Sequence, residues 1–290
     1  MKNSSTAGFE VTDNGDTLMG TLYILGTPIG NLKDITFRAI DILSRVTLIA
    51  AEDTRVTQKL LARYDIKTKK TSFNKDNYAQ KIPEILKELD RGDIALTTDA
   101  GTPGISDPGY QLVKAADEAG FTVMGIPGPS AVTTILSMCP FPTDSFLFAG
   151  FPPRKKSDLV KFLSQYEALA VPVVLFESPK RLKNLLEELA HLYPERSIFV
   201  GREMTKIHEE TFHGKPADAL IHFSEPKGEF TLVLTKSNVE IEHLDRSATL
   251  ALIQKLSDEG IGIRDISREI VSVTNLGNSE AYKLVLDTLE

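Results

Sequence analysis

The sequence predicts an α/β protein of two packed halves followed by a small helical appendage, and three features carry that prediction. In the first half, short apolar runs alternate with segments of helical spacing, the pattern of a mostly parallel sheet with helices around it. Three of those runs end in Gly-Pro loops, at Gly26–Asn31, Asp99–Gly109 and Pro127–Ser130. Loops at the carboxyl ends of strands are where open α/β sheets hold their ligands. In the second half, short strands follow one another without crossover helices, so antiparallel pairs and a mixed α/β character are expected.

Taken in order, residues 1–19 are polar and lack an apolar h-region, so they read as a flexible tail rather than a signal peptide. A first domain is expected over about 20–140. Thr21–Leu25 reads as a strand, and Asp34 or Thr36 caps a helix carrying Phe37, Ile40, Ile42 and Leu43. Val46–Ala51 is a second apolar strand that stops at Glu52-Asp53-Thr54-Arg55, with a helix following to about Tyr64. Lys67–Lys70 reads as a solvated basic turn. Asp76–Leu89 has helical spacing, with Pro83 tolerable because it falls in the first turns. Asp93–Thr98 is the next strand, Tyr110–Ala119 a helix stopped by Gly120, and Phe121–Ile126 a further strand.

The rhythm pauses at Cys139-Pro140-Phe141-Pro142, the candidate boundary, and a second domain is expected over 141–238. There Ser145–Gly150 reads as a strand, Phe151–Lys156 as a proline-stiffened basic loop and Ser157–Leu169 as a helix. Pro172–Phe176 is a strand ending in Glu177-Ser178-Pro179-Lys180-Arg181, and the helix after it places Leu182, Leu185, Leu186 and Leu189 on one stripe. Ser197–Val200, Glu209–His213 and Glu229–Thr235 read as closing strands. Residues 244–290 read as three short helices with a Gly turn, similar to a helix-turn-helix. That stretch carries eight acidic residues against five Lys and Arg, which favours packing or dimerisation over reading nucleic acid.

Composition narrows the function classes. The chain has 290 residues, 41% hydrophobic and 25% charged, with a net charge of -7, so no overall basic field draws it onto nucleic acid or membrane. Any contact with a polyanion is local. The single Cys139 forms no internal disulfide, and no Cys or His stands at zinc-ligand spacing, so no metal site and a reducing, cytoplasmic location are expected. No apolar run approaches a membrane span. Phosphate-loop, dinucleotide and nucleophile-elbow motifs are absent, which leaves a cofactor held between two α/β halves as the simplest arrangement.

Thr27-Pro28-Ile29-Gly30-Asn31-Leu32, Ala51-Glu52-Asp53-Thr54-Arg55, Asp99-Ala100-Gly101-Thr102-Pro103, Asp107-Pro108-Gly109 and Pro127-Gly128-Pro129-Ser130 stand in an order and spacing that resemble the tetrapyrrole methylase superfamily. Phe176-Glu177-Ser178-Pro179, Arg202–Lys206 and Lys227-Gly228-Glu229 extend the resemblance over about residues 20–236, and the helical tail resembles an appendage that many members carry. Ser72–Asn77 departs from the pattern, lacking the histidine common there. Within the superfamily the chain looks like members that methylate small-subunit ribosomal RNA. The resemblance implies a two-domain tetrapyrrole-methylase-like fold, S-adenosylmethionine bound between the domains, 2'-O-methylation of a cytidine ribose, and a homodimer acting on ribosomal RNA or the ribosomal subunit rather than on DNA or at a membrane.

On that reading, Pro28, Asp99, Ala100, Gly101, Thr102, Pro103, Ser106, Pro127, Gly128 and Ser130 are the expected cofactor-binding residues. A ribose hydroxyl is a poor nucleophile until its proton is accepted, so the strand-end groups Asp53, Glu177 and Lys206 are the candidates for the chemistry, against the structural alternatives of a helix cap for Asp53, an ion pair of Glu177 with Arg181 and a solvated charge for Lys206. Arg55, Arg154, Lys155, Arg181 and Arg202 are expected to grip phosphate, since guanidinium forks match it. Two other classes stay open: a methyltransferase acting on a tetrapyrrole or a modified protein side chain, and a non-enzymatic RNA-binding module.

Overall fold

The structure is a computed structural model, and it describes residues 19–105, 109–237, 246–274 and 276–289. The first half builds a five-stranded sheet from Thr21–Leu25 (β1), Leu48–Ala51 (β2), Lys70–Ser72 (β3), Ile94–Thr97 (β4) and Thr122–Ile126 (β5). All of its pairings are parallel, in the order β3-β2-β4-β1-β5. β4, at the centre, is buried along its whole length, which is why its sequence is a continuous apolar run rather than an alternation. Phe37–Arg45 (α1) and Thr54–Arg63 (α2) cover one face with Leu43, Leu60 and Leu61. Tyr78–Leu89 (α3) and Gly109–Glu118 (α4) cover the other with Ile85, Leu89, Leu112 and Ala116. The chain therefore leaves the neighbouring strands β1 and β4 toward opposite faces, and that divergence opens a crevice at their carboxyl ends.

The second half is a mixed sheet of Leu147–Gly150 (β6), Val173–Glu177 (β7), Ile198–Arg202 (β8), Glu210–Gly214 (β9) and Phe230–Leu234 (β10). Its order is β6-β7-β10-β8-β9, parallel only between β6 and β7. Lys156–Ser164 (α6), Pro179–Leu192 (α7) and Pro216–His222 (α8) pack on one face through Leu163, Leu182, Leu186 and Ala219. Pro179 begins α7 at the position where a missing N–H costs nothing. Ala131–Met138 (α5) precedes the Cys139–Pro142 break, yet its apolar side packs on the other face of the second sheet, against Val174, Phe199 and Val233. Arg246–Asp258 (α9), Ile263–Val273 (α10) and Asn278–Leu289 (α11) have a core of their own built on Ile253, Ile266, Ile270, Ala281 and Val285. Among the described residues, no helix is long and apolar enough to cross a membrane.

Three sequence expectations shift. Lys70 does not end a solvated turn but starts β3, an edge strand hydrogen-bonded to β2, where polar residues are tolerated because one side faces water. The helix expected to reach Leu169 ends at Ser164, because the chain turns to bury Tyr166 in the second core. α8 fills a stretch between β9 and β10 that carries only one helical turn or two of pattern.

Candidate active site

The loops after β1 and β4 are stitched together where the crevice opens. Thr27 N–H donates to the Gly101 carbonyl (2.9 Å) and Gly101 N–H donates back (3.1 Å), while the Thr27 hydroxyl donates to the Thr98 carbonyl at 3.0 Å. Gly101 holds φ at +79°, a left-handed value that suits glycine. Behind them the loops after β1 and β5 touch backbone to backbone: a Cβ at Gly26 would lie 2.9 Å from the Gly128 Cα. The Gly-Pro loops thus form one rigid floor.

Above that floor lies a cleft of about 430 Å³ between the two sheets, within the size range of small-molecule sites. From the first sheet it is lined by Ile29, Glu52, Asp99–Thr102, Ile105 and Ser130 with the start of α5. The second sheet contributes Phe151, Phe176–Pro179, Met204 and Glu229–Thr231. Four acidic residues, Glu52, Asp99, Glu177 and Glu229, are among its lining, and no Lys, Arg or His lines it among the described residues. Acidic walls with aromatic and aliphatic surface suit a ligand that is cationic at one end and flat and apolar at another. S-adenosylmethionine, with its sulfonium, ammonium and adenine, has that chemistry, so the residues present fit the group the resemblance implies.

The carboxylates are not equivalent. Glu52 accepts from the Asp99 N–H (3.1 Å) and Asp99 from the Asp53 N–H (3.0 Å), which locks the ends of β2 and β4 together. Desolvation, with Glu52 beside it, raises the pKa of Asp99. Glu177, at the end of β7, has a side chain 1% exposed; it accepts from the Ser178 N–H at 2.7 Å and pairs with Arg181 at 3.0 Å. Burial nevertheless pushes its pKa up, the Ser178 and Arg181 contacts offsetting only part of that.

Of the expected site residues, the cleft brings together Asp99, Ala100, Gly101, Thr102, Ser130 and Glu177. Pro28, Pro103, Pro127 and Gly128 belong to the same loops but do not line it, and Ser106 lies outside the described residues. Asp53 stands back from the cleft. Its side chain caps α2 and holds Arg55 at 2.6 Å, and that guanidinium lowers its pKa to about 2, which makes it a poor proton acceptor. Lys206 is not a lowered-pKa lysine either: burial pushes it down, but hydrogen bonds to Glu203 (2.9 Å) and Glu229 (2.8 Å) outweigh this and raise it. Its stem crosses to the first half, where a Cβ at Gly30 would meet Lys206 Cγ at 2.5 Å. The turn that carries it is strained, with Glu203 at φ 50° and Thr205 at φ 68°, the latter unusual for a β-branched residue. The Thr205 hydroxyl is buried with no partner among the described residues.

Among the expected phosphate ligands, Arg154 and Lys155 are exposed and Arg55 has a side chain 88% exposed. Arg181 and Arg202 are committed inside the protein. Arg181 donates to the Pro152 (2.5 Å) and Pro153 (3.2 Å) carbonyls besides Glu177, and Arg202 to the Lys227 carbonyl (2.7 Å) and Glu210 (2.8 Å). Residue-by-residue reasoning passed over Glu52, Phe151, Phe176, Met204 and Glu229 as lining groups, although each adjoins a strand-end motif. The missed signal is that a strand end presents several consecutive residues to the crevice.

A family model for tetrapyrrole (corrin/porphyrin) methylases matches residues 21–220. Ribosomal RNA small subunit methyltransferase I of Thermotoga maritima is 46% identical over 222 residues, spanning 75% of this chain and 99% of that protein. The protein of the same name from Synechocystis sp. is 40% identical over 277 residues, spanning 93% of this chain and 98% of its own. Among solved structures, the cobalamin biosynthetic enzyme cobalt precorrin-4 methyltransferase has a TM-score of 0.57 at 15% identity, covering 77% of this chain and 98% of that one. Uroporphyrin-III C-methyltransferase from Thermus thermophilus, complexed with S-adenyl homocysteine, has a TM-score of 0.53 at 17% identity, covering 74% and 97%. At such identities the structural likeness speaks for the fold alone, whereas the sequence relatives and the family model place the chain: it belongs to the tetrapyrrole (corrin/porphyrin) methylase family, alongside the ribosomal RNA small subunit methyltransferase I proteins.

Proposed function

We propose that this chain is an S-adenosylmethionine-dependent methyltransferase that modifies small-subunit ribosomal RNA, at the 2'-hydroxyl of a cytidine ribose. The observation that carries the reading is an acid-lined strand-end cleft suited to a cationic cofactor, in a chain 40% identical across 93% of its length to a protein of that name. A carboxylate-bearing tetrapyrrole would approach against Glu52, Asp99, Glu177 and Glu229, which argues for RNA held outside the cleft by exposed cations. We read the chain as two domains, about 20–140 and 141–238, closing on the cofactor, with 244–290 as an appendage. A homodimer in the cytoplasm goes with this substrate, and the exposed Phe146 and Leu147 at the β6 edge support self-association.

When bound, the cofactor supplies an electrophilic methyl group. Asp99, Ala100, Gly101, Thr102 and Ser130 hold it, and Pro28, Pro103, Pro127 and Gly128 stiffen the floor beneath. Glu177 accepts the hydroxyl proton: it lines the cleft, is fixed by Arg181 and Ser178, and has a raised pKa. Asp53 orients Arg55 at the rim, and Lys206 stays protonated and steadies Glu229. Arg55, Arg154 and Lys155 face the RNA backbone.

The test is methyl transfer from labelled S-adenosylmethionine to small-subunit ribosomal RNA lacking this modification, with the product nucleoside identified. Glu177→Gln, assayed as folded protein at saturating S-adenosylmethionine, should lower turnover by roughly a hundredfold. Because the base must be ionised, the wild-type rate falls as pH drops through a Glu177 pKa lying above the ordinary carboxylate range, and the variant should lack that acidic limb. A methyl group found on a nucleobase, or wild-type turnover in the variant, would overturn the respective assignment.

A further inference from the structure

Phe151 stands out at the lip of the cleft. Of the large apolar side chains that line it, Phe151 and Ile105 are the two left open to water, at 56% and 45% exposure. Exposure alone does not call for a partner, since Phe37 of α1 is more exposed still; what sets Phe151 apart is its place at the mouth of the cleft and the way its pose is fixed. Its pose is built by the surrounding chain. The pairing of β6 with β7 slips between Phe148 and Gly150, and Gly150 turns through φ 68°, which carries residue 151 out of the sheet. The ring then rests edge-on against Phe176 at 5.4 Å and 61°, and Phe176 is held in turn by Phe148 at 4.9 Å. Immediately after it, Pro152 is buried and Arg181 grips the Pro152 and Pro153 carbonyls while pairing with Glu177. One guanidinium therefore fixes the aromatic ring and the carboxylate in a common frame.

The surroundings of the ring indicate what covers it. Arg154 and Lys155 are exposed three and four positions along the chain and carry no ion pair among the described residues, whereas Lys156 is tied to Glu188 at 2.6 Å. An open aromatic face beside unpaired cations is the arrangement with which proteins bind single-stranded nucleic acid, stacking a base while tracking its phosphates. Resting on the proposed RNA substrate, we propose that Phe151 is a positioning residue on which an unstacked nucleobase of the RNA strand lies, so that the adjoining ribose hydroxyl is held toward Glu177 and the cleft.

The chain contains no tryptophan, so Phe151→Trp places a single reporter at this point. Its emission, excited where tyrosine does not absorb, should be quenched saturably by small-subunit ribosomal RNA and not by S-adenosylmethionine alone. Phe37→Trp, on an exposed residue of α1 outside the cleft lining, is the control and should stay unquenched. Phe151→Ala and Phe151→Leu should each raise the Michaelis constant for RNA about 5- to 150-fold, as loss of one base–aromatic stack does, with cofactor affinity unchanged and Phe151→Tyr restoring it. Quenching by S-adenosylmethionine alone would assign the ring to the cofactor and overturn the proposal. Absence of quenching at RNA concentrations that saturate the wild-type protein would do the same, as would a Leu variant with a normal Michaelis constant. A wild-type chain that leaves this RNA unmethylated would instead unseat the proposed function.

Discussion

Replacing Arg181 by Met should destabilise the fold, and any loss of RNA binding should come through the loosened Phe151 loop rather than through a lost phosphate contact. The Arg181 side chain is 26% exposed, and its guanidinium spans the carboxylate of Glu177, whose side chain is 1% exposed, and two backbone carbonyls of the loop that carries Phe151. Met keeps much of the stem's apolar packing and removes the charge. Breaking one side of a buried ion pair costs about 3–5 kcal/mol, because the other charge is left in a poorly hydrating site. Water reaches part of the guanidinium site, so the lower end, about 3 kcal/mol at neutral pH, is expected. The loss depends on pH in a definite direction. Glu177 already has a raised pKa in the folded protein, and removing Arg181 raises it further. A carboxyl whose folded pKa exceeds its unfolded value favours the folded state below the unfolded pKa, and that advantage is lost as pH rises through the folded pKa. The variant should therefore approach wild-type stability in mild acid and fall behind toward neutrality. Urea unfolding of both proteins at the two pH values measures this, and adding Glu177→Gln to the Arg181→Met variant should recover most of the loss. The opposite pattern, equal stability at every pH together with weaker RNA binding and a shallower salt dependence, would refute the internal strut and return Arg181 to the phosphate.

Two further outcomes follow from the geometry. Gly26→Ala puts a methyl 2.9 Å from the Gly128 Cα, where backbone meets backbone and neither side can turn away; it should cost about 1–3 kcal/mol and weaken S-adenosylmethionine binding in calorimetry, and unchanged affinity would detach this floor from the site. Removing residues 246–290 should leave methylation close to the full-length rate, because α9–α11 have their own core and the Thermotoga maritima relative aligns over 99% of its length with only 75% of this chain; loss of activity in a folded truncation would give the appendage a role in substrate capture.

Backbone features were the part of the site that the amino-acid order made legible. Gly-Pro clusters can only be loops, and a loop after a buried parallel strand can only lie at the sheet's carboxyl edge, so Asp99–Thr102 and Ser130 fall in the cleft as expected. The parallel and antiparallel halves were legible for the same reason, since connection length decides strand direction. Partner choice among charged side chains was legible only in part. The ion pair of Glu177 with Arg181, four positions apart, was open to a sequence reading as the alternative to a phosphate contact, whereas Arg202 looks in sequence like Arg154 and only β9 lays Glu210 opposite it. Lys206 shows the same limit, because Glu229 reaches it only through the pairing of β8 with β10. The reach of α7 back to the Phe151 loop likewise depends on the pairing of β6 with β7, which no local pattern encodes.

The cleft and its surroundings divide the electrostatic work. The cleft lining includes four acidic residues and no basic one among the described residues, while Arg55, Arg154 and Lys155 stand exposed outside it. A net charge of -7 would repel RNA from a protein whose charges were spread evenly, so a polyanion must be met by a local cationic rim. The same separation protects the interior. Had Arg181 or Lys206 been left unpaired in the cleft, each would oppose a cationic cofactor and draw phosphate into its place; instead Glu177, Glu203 and Glu229 hold both. The internal ion pairs thus matter less as stabilising contacts, whose net worth is small once desolvation is counted, than as the means by which one narrow site presents acid inward and base outward.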